Sequence, residues 1–303
     1  VDPGLLLLLT PMLWGATFPG AKLALRRLPV LPFMAWTRTL GFLAILVMVP
    51  ILRRRSRPGE ASPPLTRVIG PGILLGALIF VAYLLQTEGL ARTTATNAGF
   101  ITGLYVVFTP VLAAMLFRHR VGRAAWIAVG LSLIGLGLLS IQHLEQVRVH
   151  AGDVLVMASA VVWAGHVTAV GHYSPRFPAW MLSLAQMGAT AIFQLVALSG
   201  TGLHTGQALS AKVWPLLVLT GVFGSGIAYT IQIMGQQTLT PARAVVILAG
   251  EAIFAALFSA LWIGDRLSVH QWVGAAVVLG AMTYSELSAR RPGPANLEPA
   301  SAP

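Results

Sequence analysis

Ala82-Tyr83-Leu84-Leu85-Gln86, with a glycine close behind at Gly89, returns 146 residues later as Ala228-Tyr229-Thr230-Ile231-Gln232, with a glycine at Gly235. Working outward in the same register, Pro32 meets Pro178, Thr94 meets Thr240 and Phe108 meets Phe254. Arg120 likewise meets Arg266, and Trp126 meets Trp272. A small shift of register sets Trp14-Gly15-Ala16 opposite Trp163-Ala164-Gly165. Single matches mean nothing in an apolar chain, but Tyr, Gln, Trp and Pro agreeing in one register mark a tandem duplication. The chain reads as two copies, 1–150 and 151–303.

Composition gives each copy its setting. Hydrophobic residues make up 56% of the chain and charged residues 10%, with a mean hydropathy of +0.78; a soluble domain carries about 25% charged residues. Apolar runs of about 20 residues span a hydrocarbon core ~30 Å thick at 1.5 Å rise per residue. Ten such runs occur, near 4–26, 33–52, 69–89, 93–117 and 124–142, then 152–171, 178–198, 213–236, 241–263 and 269–288. The expected fold class is therefore all-α: a polytopic membrane protein of ten transmembrane helices, five in each copy. Leu5 to Leu9 looks like a signal-peptide core, but no basic residue precedes it and no small-x-small cleavage site follows, so a retained helix is expected. The chain begins at Val1 rather than Met, so a few preceding residues are expected to be missing. Lack of cysteine excludes disulfides and thiolate metal sites, and no cofactor or metal is expected.

A net charge of +11 raises the question of nucleic acid, but its placement answers differently. Arg53, Arg54, Arg55, Arg57 and Arg67 fall between segments two and three, and Arg118, Arg120 and Arg123 between four and five. With Arg176, Arg243, Arg290 and Arg291 they make twelve basic residues on one side, against seven on the other: Lys22, Arg26, Arg27, Arg92, Arg148, Lys212 and Arg266. Positive charge stays cytoplasmic, so both termini are expected inside, although the first segment alone votes the other way. Five segments per copy is an odd number, so the second copy starts on the opposite side and lies inverted, an arrangement typical of secondary transporters with a mid-membrane site. The connections 53–68, 143–151 and 199–212 leave no room for a soluble domain. The tail from Arg291-Pro292-Gly293-Pro294 reads as disordered.

Small residues at helical spacing read as tight helix contacts: Ala95, Gly99 and Gly103; Gly72 and Gly76; Gly221 and Ser225. Polar and aromatic residues at mid-depth carry the functional reading. Trp14 and Trp163 sit near segment centres, whereas membrane tryptophans favour the interfaces, and His166 shares a helical face with Trp163. Either this face lines a wet cavity, or Trp163 packs and His166 bonds a neighbouring carbonyl. Tyr83 with Gln86, and Tyr229 with Gln232, form the same i, i+3 pair. An uncompensated amide in hydrocarbon costs several kcal/mol, so both amides face protein or water, bridging helices or binding an amphipathic solute. Asn97 and Tyr105 are further candidates. Of the ionisable groups within segments, Arg38 and Glu251 are the most pressing; each needs a partner, a cavity or neutralisation. Arg38, early in segment two, has the option of snorkelling to the surface, and Glu251 that of anchoring helix packing or carrying a proton.

Several of these residues stand in a familiar pattern. Trp14-Gly15-Ala16-Thr17-Phe18 followed by Lys22 resembles the first-helix motif of the EamA family in the drug/metabolite transporter superfamily. Arg38 matches that family's second-helix arginine. Glu251-Ala252-Ile253-Phe254 resembles its ninth-helix Glu-Pro-Val motif with alanine for proline, and Gly264-Asp265-Arg266-Leu267 its Gly-Glu-Arg-Leu turn with Asp for Glu. The resemblance covers nearly the whole chain. It implies ten helices in two inverted repeats, a bacterial inner-membrane location and export of small metabolites; exporters of aromatic amino acids, of the YddG type, look most similar. The expected partners are the bilayer and a small-molecule substrate, an amino acid, handled by a monomer with no nucleic acid involved. Export of lipophilic drugs is the alternative, favoured if Glu251 opens onto the cavity. An intramembrane lipid-modifying enzyme is a third reading, but no His-x-x-Glu-His or Gly-x-Ser-x-Gly pattern supports it.

Overall fold

The computed structural model describes residues 2–54, 63–118, 121–140, 151–200, 211–264 and 266–290. Arg55, Arg57, Arg120, Arg148, Asp265 and the tail from Arg291 lie outside the described residues, as do most of the connections 143–151 and 199–212. In chain order the helices are α1 (Pro3–Leu25), α2 (Val30–Arg54), α3 (Leu65–Ala91), α4 (Asn97–Phe117), α5 (Arg123–Leu139), α6 (Ala151–Arg176), α7 (Ala179–Ser199), α8 (Trp214–Gln236), α9 (Pro241–Ile263) and α10 (Val269–Arg290). All but α5 and α10 are long and apolar enough to cross a membrane, which makes eight. Helix α5 is shorter, and α10 is interrupted in apolarity by His270, Gln271 and Glu286. No strand occurs among the described residues.

Burial is inverted relative to a water-soluble protein. Arg38, His166, Gln186, Gln194 and Gln232 are fully buried, while Val47, Met115, Val196 and Leu261 are among the exposed side chains. An apolar exterior over a polar interior is what hydrocarbon surroundings select, because lipid offers polar groups no hydrogen bonds. This is a multi-pass membrane protein.

The helices pack mainly across the duplication, and small residues set the approach. A methyl group added at Gly72 would lie 2.4 Å from the Ala185 Cβ, and one at Gly76 2.6 Å from that of Ala189, so α3 and α7 run the same way in close contact. Helices α2 and α8 repeat this at Gly41 against Ser225 and Gly221 against Thr37. Helices α5 and α10 instead cross antiparallel, with Gly135 against Val278 and Gly274 against Leu139; Gln271 Nε2 donates to Leu139 O at 3.0 Å. Helices α2 and α7 are also antiparallel, with Phe42 against Gly188 and the Arg53 guanidinium 5.2 Å from the Trp180 ring centre.

Two of the helix breaks fall in the duplication register, whereas a third, at Leu8 in α1, has no counterpart in α6. Helix α4 is interrupted at Leu104 and α9 at Ala249 and Gly250; positions 104 and 250 are 146 apart. The residues that restart the two helices, Tyr105 and Glu251, are repeat equivalents. Helix α8 has no such match in α3: residues Leu219–Ile227 form a π-helical stretch rich in Gly, Ser and Thr, whereas α3 is α-helical throughout. Lys22 ends α3 by donating to the carbonyls of Leu90 (2.6 Å), Ala91 (3.3 Å) and Thr93, a cation on orphan C-terminal carbonyls. Arg243 pairs with both carboxylate oxygens of Glu286, at 2.9 and 3.1 Å, fastening the start of α9 to the end of α10.

Candidate functional site

A cavity opens between the copies, beside the two helix breaks. Four rings wall it. Trp14 from α1 lies 5.1 Å from Tyr229 of α8, and Trp163 from α6 lies 5.4 Å edge-on from Tyr83 of α3. Trp163 and Tyr229 stack at 6.1 Å, and the two tryptophans are 6.5 Å apart. All four separations suit favourable ring contacts. Phe18 and Phe33 extend the apolar wall.

The two tryptophans are anchored unequally. Trp14 Nε1 donates to Gly224 O at 2.9 Å, within the π-helical stretch; Gly224 leaves room because a Cβ there would lie 2.5 Å from the Thr17 methyl. Trp163 Nε1 is buried without a partner.

Polar groups enter at fixed points. Gln86 Nε2 donates to Thr102 Oγ1 at 2.8 Å, and both residues line the cavity with Thr17, Thr87 and Thr220. Glu251 also lines it, from the restart of α9. The Tyr105 hydroxyl lies beside this carboxylate, yet Tyr105 Oη and Glu251 Oε1 remain buried without a well-formed hydrogen bond. Arg38 does not line the cavity. Its guanidinium sits 3.8 Å from the Tyr83 ring centre and close to the Tyr229 hydroxyl, wholly buried.

A model of the EamA-like transporter family matches the chain twice, over residues 3–141 and 150–285. The chain belongs to the EamA-like transporter family. It is 30% identical over 281 residues to an uncharacterized transporter of Archaeoglobus fulgidus, covering 93% of this chain and 84% of that protein. It is 23% identical to the uncharacterized transporter YyaM of Bacillus subtilis, covering 89% of each. The inner membrane protein YtfF of Escherichia coli is 30% identical over a shorter stretch, 52% of this chain and 51% of that one. A solved structure described only as the crystal structure of a protein superposes with a TM-score of 0.73 at 18% identity, covering 95% of this chain and 98% of that one; at this identity the match carries the fold alone.

Within this EamA-like transporter, Trp14, Tyr83, Gln86, Tyr105, Trp163, Tyr229 and Glu251 are brought together around one cavity. His166, Gln232 and Asn97 are not on its wall. The His166 ring meets Trp163 and Tyr229 edge-on from behind, and its Nε2 lies 3.3 Å from Gln186 Oε1. Gln232 Nε2 donates to Gln236 Oε1 at 3.0 Å within α8, and Gln236 Nε2 donates to Val167 O at 2.9 Å, so the bridge to α6 is made by Gln236. Asn97 sits in the first turn of its helix, where its backbone N–H is capped by Thr94 Oγ1 at 3.0 Å. Arg38 does not snorkel, because α2 begins at Val30 and the side chain turns inward beneath Tyr83. Thr102 and Phe33 escaped the sequence reading: Thr and Phe are ordinary residues in apolar helices, and only the approach of α4 to α3 gives Thr102 its amide partner. Among the described residues no group of three or more His, Asp or Glu is placed to hold a metal.

Proposed function

We propose that this transporter exports aromatic or other bulky apolar amino acids and related small metabolites by alternating access around the aromatic cavity. The four-ring box of Trp14, Tyr83, Trp163 and Tyr229 is the observation that carries the reading. A ring stacked inside it gains about 0.5–1.5 kcal/mol per aromatic contact beyond area burial, while Gln86 and the threonines supply hydrogen bonds. Strongly anionic substrates are disfavoured, because among the described residues the wall carries no Arg or Lys and its one ionisable acid is Glu251. That same carboxylate favours a second reading, export of lipophilic cations held by rings and a counter-charge.

The proposal includes the membrane arrangement: ten spans, two inverted repeats divided near residue 150, both termini cytoplasmic in a bacterial plasma membrane, and a monomer as the working unit. In support, repeat-equivalent helices α5 and α10 cross antiparallel, as do α2 and α7, which is how an axis in the membrane plane relates equivalent elements. Flux of radiolabelled L-phenylalanine and of a lipophilic cation into proteoliposomes tests the substrate. Phenylalanine flux is expected; cation flux without it would transfer the assignment to the second reading. In this cysteine-free chain, Thr66→Cys should label from the cytoplasm and Lys212→Cys from outside, both positions being exposed. The reverse pattern would overturn the orientation.

A further inference from the structure

Two buried ionisable side chains, one basic and one acidic, lie at the aromatic box without pairing with each other. Neither Arg38 nor Glu251 forms an ion pair among the described residues. Arg38 is 0% exposed, and its Nε and Nη1 have no hydrogen-bond partner; Nη2 reaches Thr37 Oγ1 at 3.4 Å. Glu251 is 3% exposed, with Oε1 unpaired. An uncompensated buried charge is costly, and the Tyr83 ring lying over the guanidinium offsets only part of that cost. Tyr229, a wall of the box, lies in the electrostatic field of both groups. The duplication does not generate this pair: the repeat equivalent of Arg38 is Leu184 and that of Glu251 is Tyr105.

We infer that Arg38 and Glu251 are the two poles of a site for a zwitterion. Glu251 accepts hydrogen bonds from the ligand's ammonium group at the cavity wall. The free N–H groups of Arg38 donate to its carboxylate, and the rings of Trp14, Trp163 and Tyr229 hold its apolar side chain. Because the Tyr83 ring covers the guanidinium, the carboxylate reaches Arg38 when that ring turns aside, so Tyr83 separates an empty from a loaded site. This rests on the reading of the cavity as an amino-acid site and assigns its headgroup contacts. Opposite poles explain why two unpaired charges persist beside an apolar pocket: a free amino acid supplies both missing counter-charges in one molecule. A lipophilic cation would satisfy Glu251 alone.

Binding of three probes to the purified full chain tests the assignment: L-phenylalanine carries both charges, phenethylamine the ammonium only, and 3-phenylpropionate the carboxylate only. Phenylalanine is expected to bind about tenfold or more tightly than either of the others. Arg38→Gln should weaken phenylalanine about tenfold and leave phenethylamine within about twofold, whereas Glu251→Gln should weaken phenethylamine about tenfold and spare 3-phenylpropionate. Arg38→Lys, which keeps the charge, should retain part of the phenylalanine affinity. Ratios between probes within one preparation do not depend on its folded fraction, so a poorly folding variant still reports. Phenylalanine binding with probe ratios unmoved by either substitution would overturn the two poles and leave the amino-acid reading standing. Tighter binding of phenethylamine than phenylalanine to the unmodified protein would overturn both. Binding of none of the three would do the same.

Discussion

Helices α3 and α8 carry the same Tyr–Gln pair at equivalent positions, yet they use it differently. In α3, Tyr83 lies over Arg38, and Gln86 meets Thr102 on the cavity wall. In α8, Tyr229 walls the cavity too, but Gln232 turns along its own helix to Gln236, whose amide reaches Val167 of α6. Neighbours cause the divergence. The repeat equivalent of Thr102 is Leu248 and that of Gln236 is Leu90, so each glutamine finds its amide partner where the other copy has leucine. The preceding turns differ as well: Ile73 to Val81 hold one glycine and stay α-helical, whereas Leu219 to Ile227 contain three glycines and run as a π-helix. That stretch gives Trp14 a carbonyl to bond, and Trp163 has none. A duplicated scaffold thus encloses an asymmetric cavity.

Three tests sharpen this comparison. The largest effect is expected from Gly224→Leu, which copies Leu78 of the first copy. A Cβ there meets the Thr17 methyl at 2.5 Å, and overpacking of this kind costs about 3 kcal/mol. Thermal unfolding of the purified protein should show the loss, and an unchanged midpoint would mean that the π-helical stretch does not depend on its glycines. A smaller contrast is expected between Trp14→Phe and Trp163→Phe. Both remove similar volume, but only the first breaks a hydrogen bond and strands the Gly224 carbonyl, so it should be less stable than its counterpart by about 1–2 kcal/mol. Equal stabilities would show the two tryptophans to be equivalent after all. The smallest contrast is between the glutamines. Gln86→Leu should lower phenylalanine flux about fivefold, whereas Gln232→Leu should cost about 1 kcal/mol of stability and leave flux per folded molecule unchanged. Matching flux losses from both would restore the symmetric reading of the two pairs.

The same comparison marks how far the site could be read in advance. Trp14, Trp163, Tyr83 and Tyr229 were legible because aromatic rings repeated at mid-depth have few uses besides packing or binding. Gln232 and His166 shared those signals yet lie behind the wall. Periodicity places a residue on a helix face, but not on one side or the other of the neighbouring ring. Lys22 illustrates the same limit. Its motif was visible in the sequence, but its task, capping the end of α3, depends on carbonyls nearly seventy residues away.

The sequence by itself determined that this chain lives in a bilayer as helices, that it is duplicated, and which of its polar residues needed an answer in hydrocarbon. Those conclusions rest on local quantities, namely apolar run length, charge placement and repeat register, which survive without knowledge of any contact. Only the tertiary structure decided which answer each polar residue received: cavity wall for Gln86 and Glu251, the Gln236 amide for Gln232, burial beneath Tyr83 for Arg38. A hydrogen bond or a ring contact depends on ångström separations between helices far apart in the chain, and these are set by close packing at positions such as Gly76 and Gly224 rather than by the residues that bind.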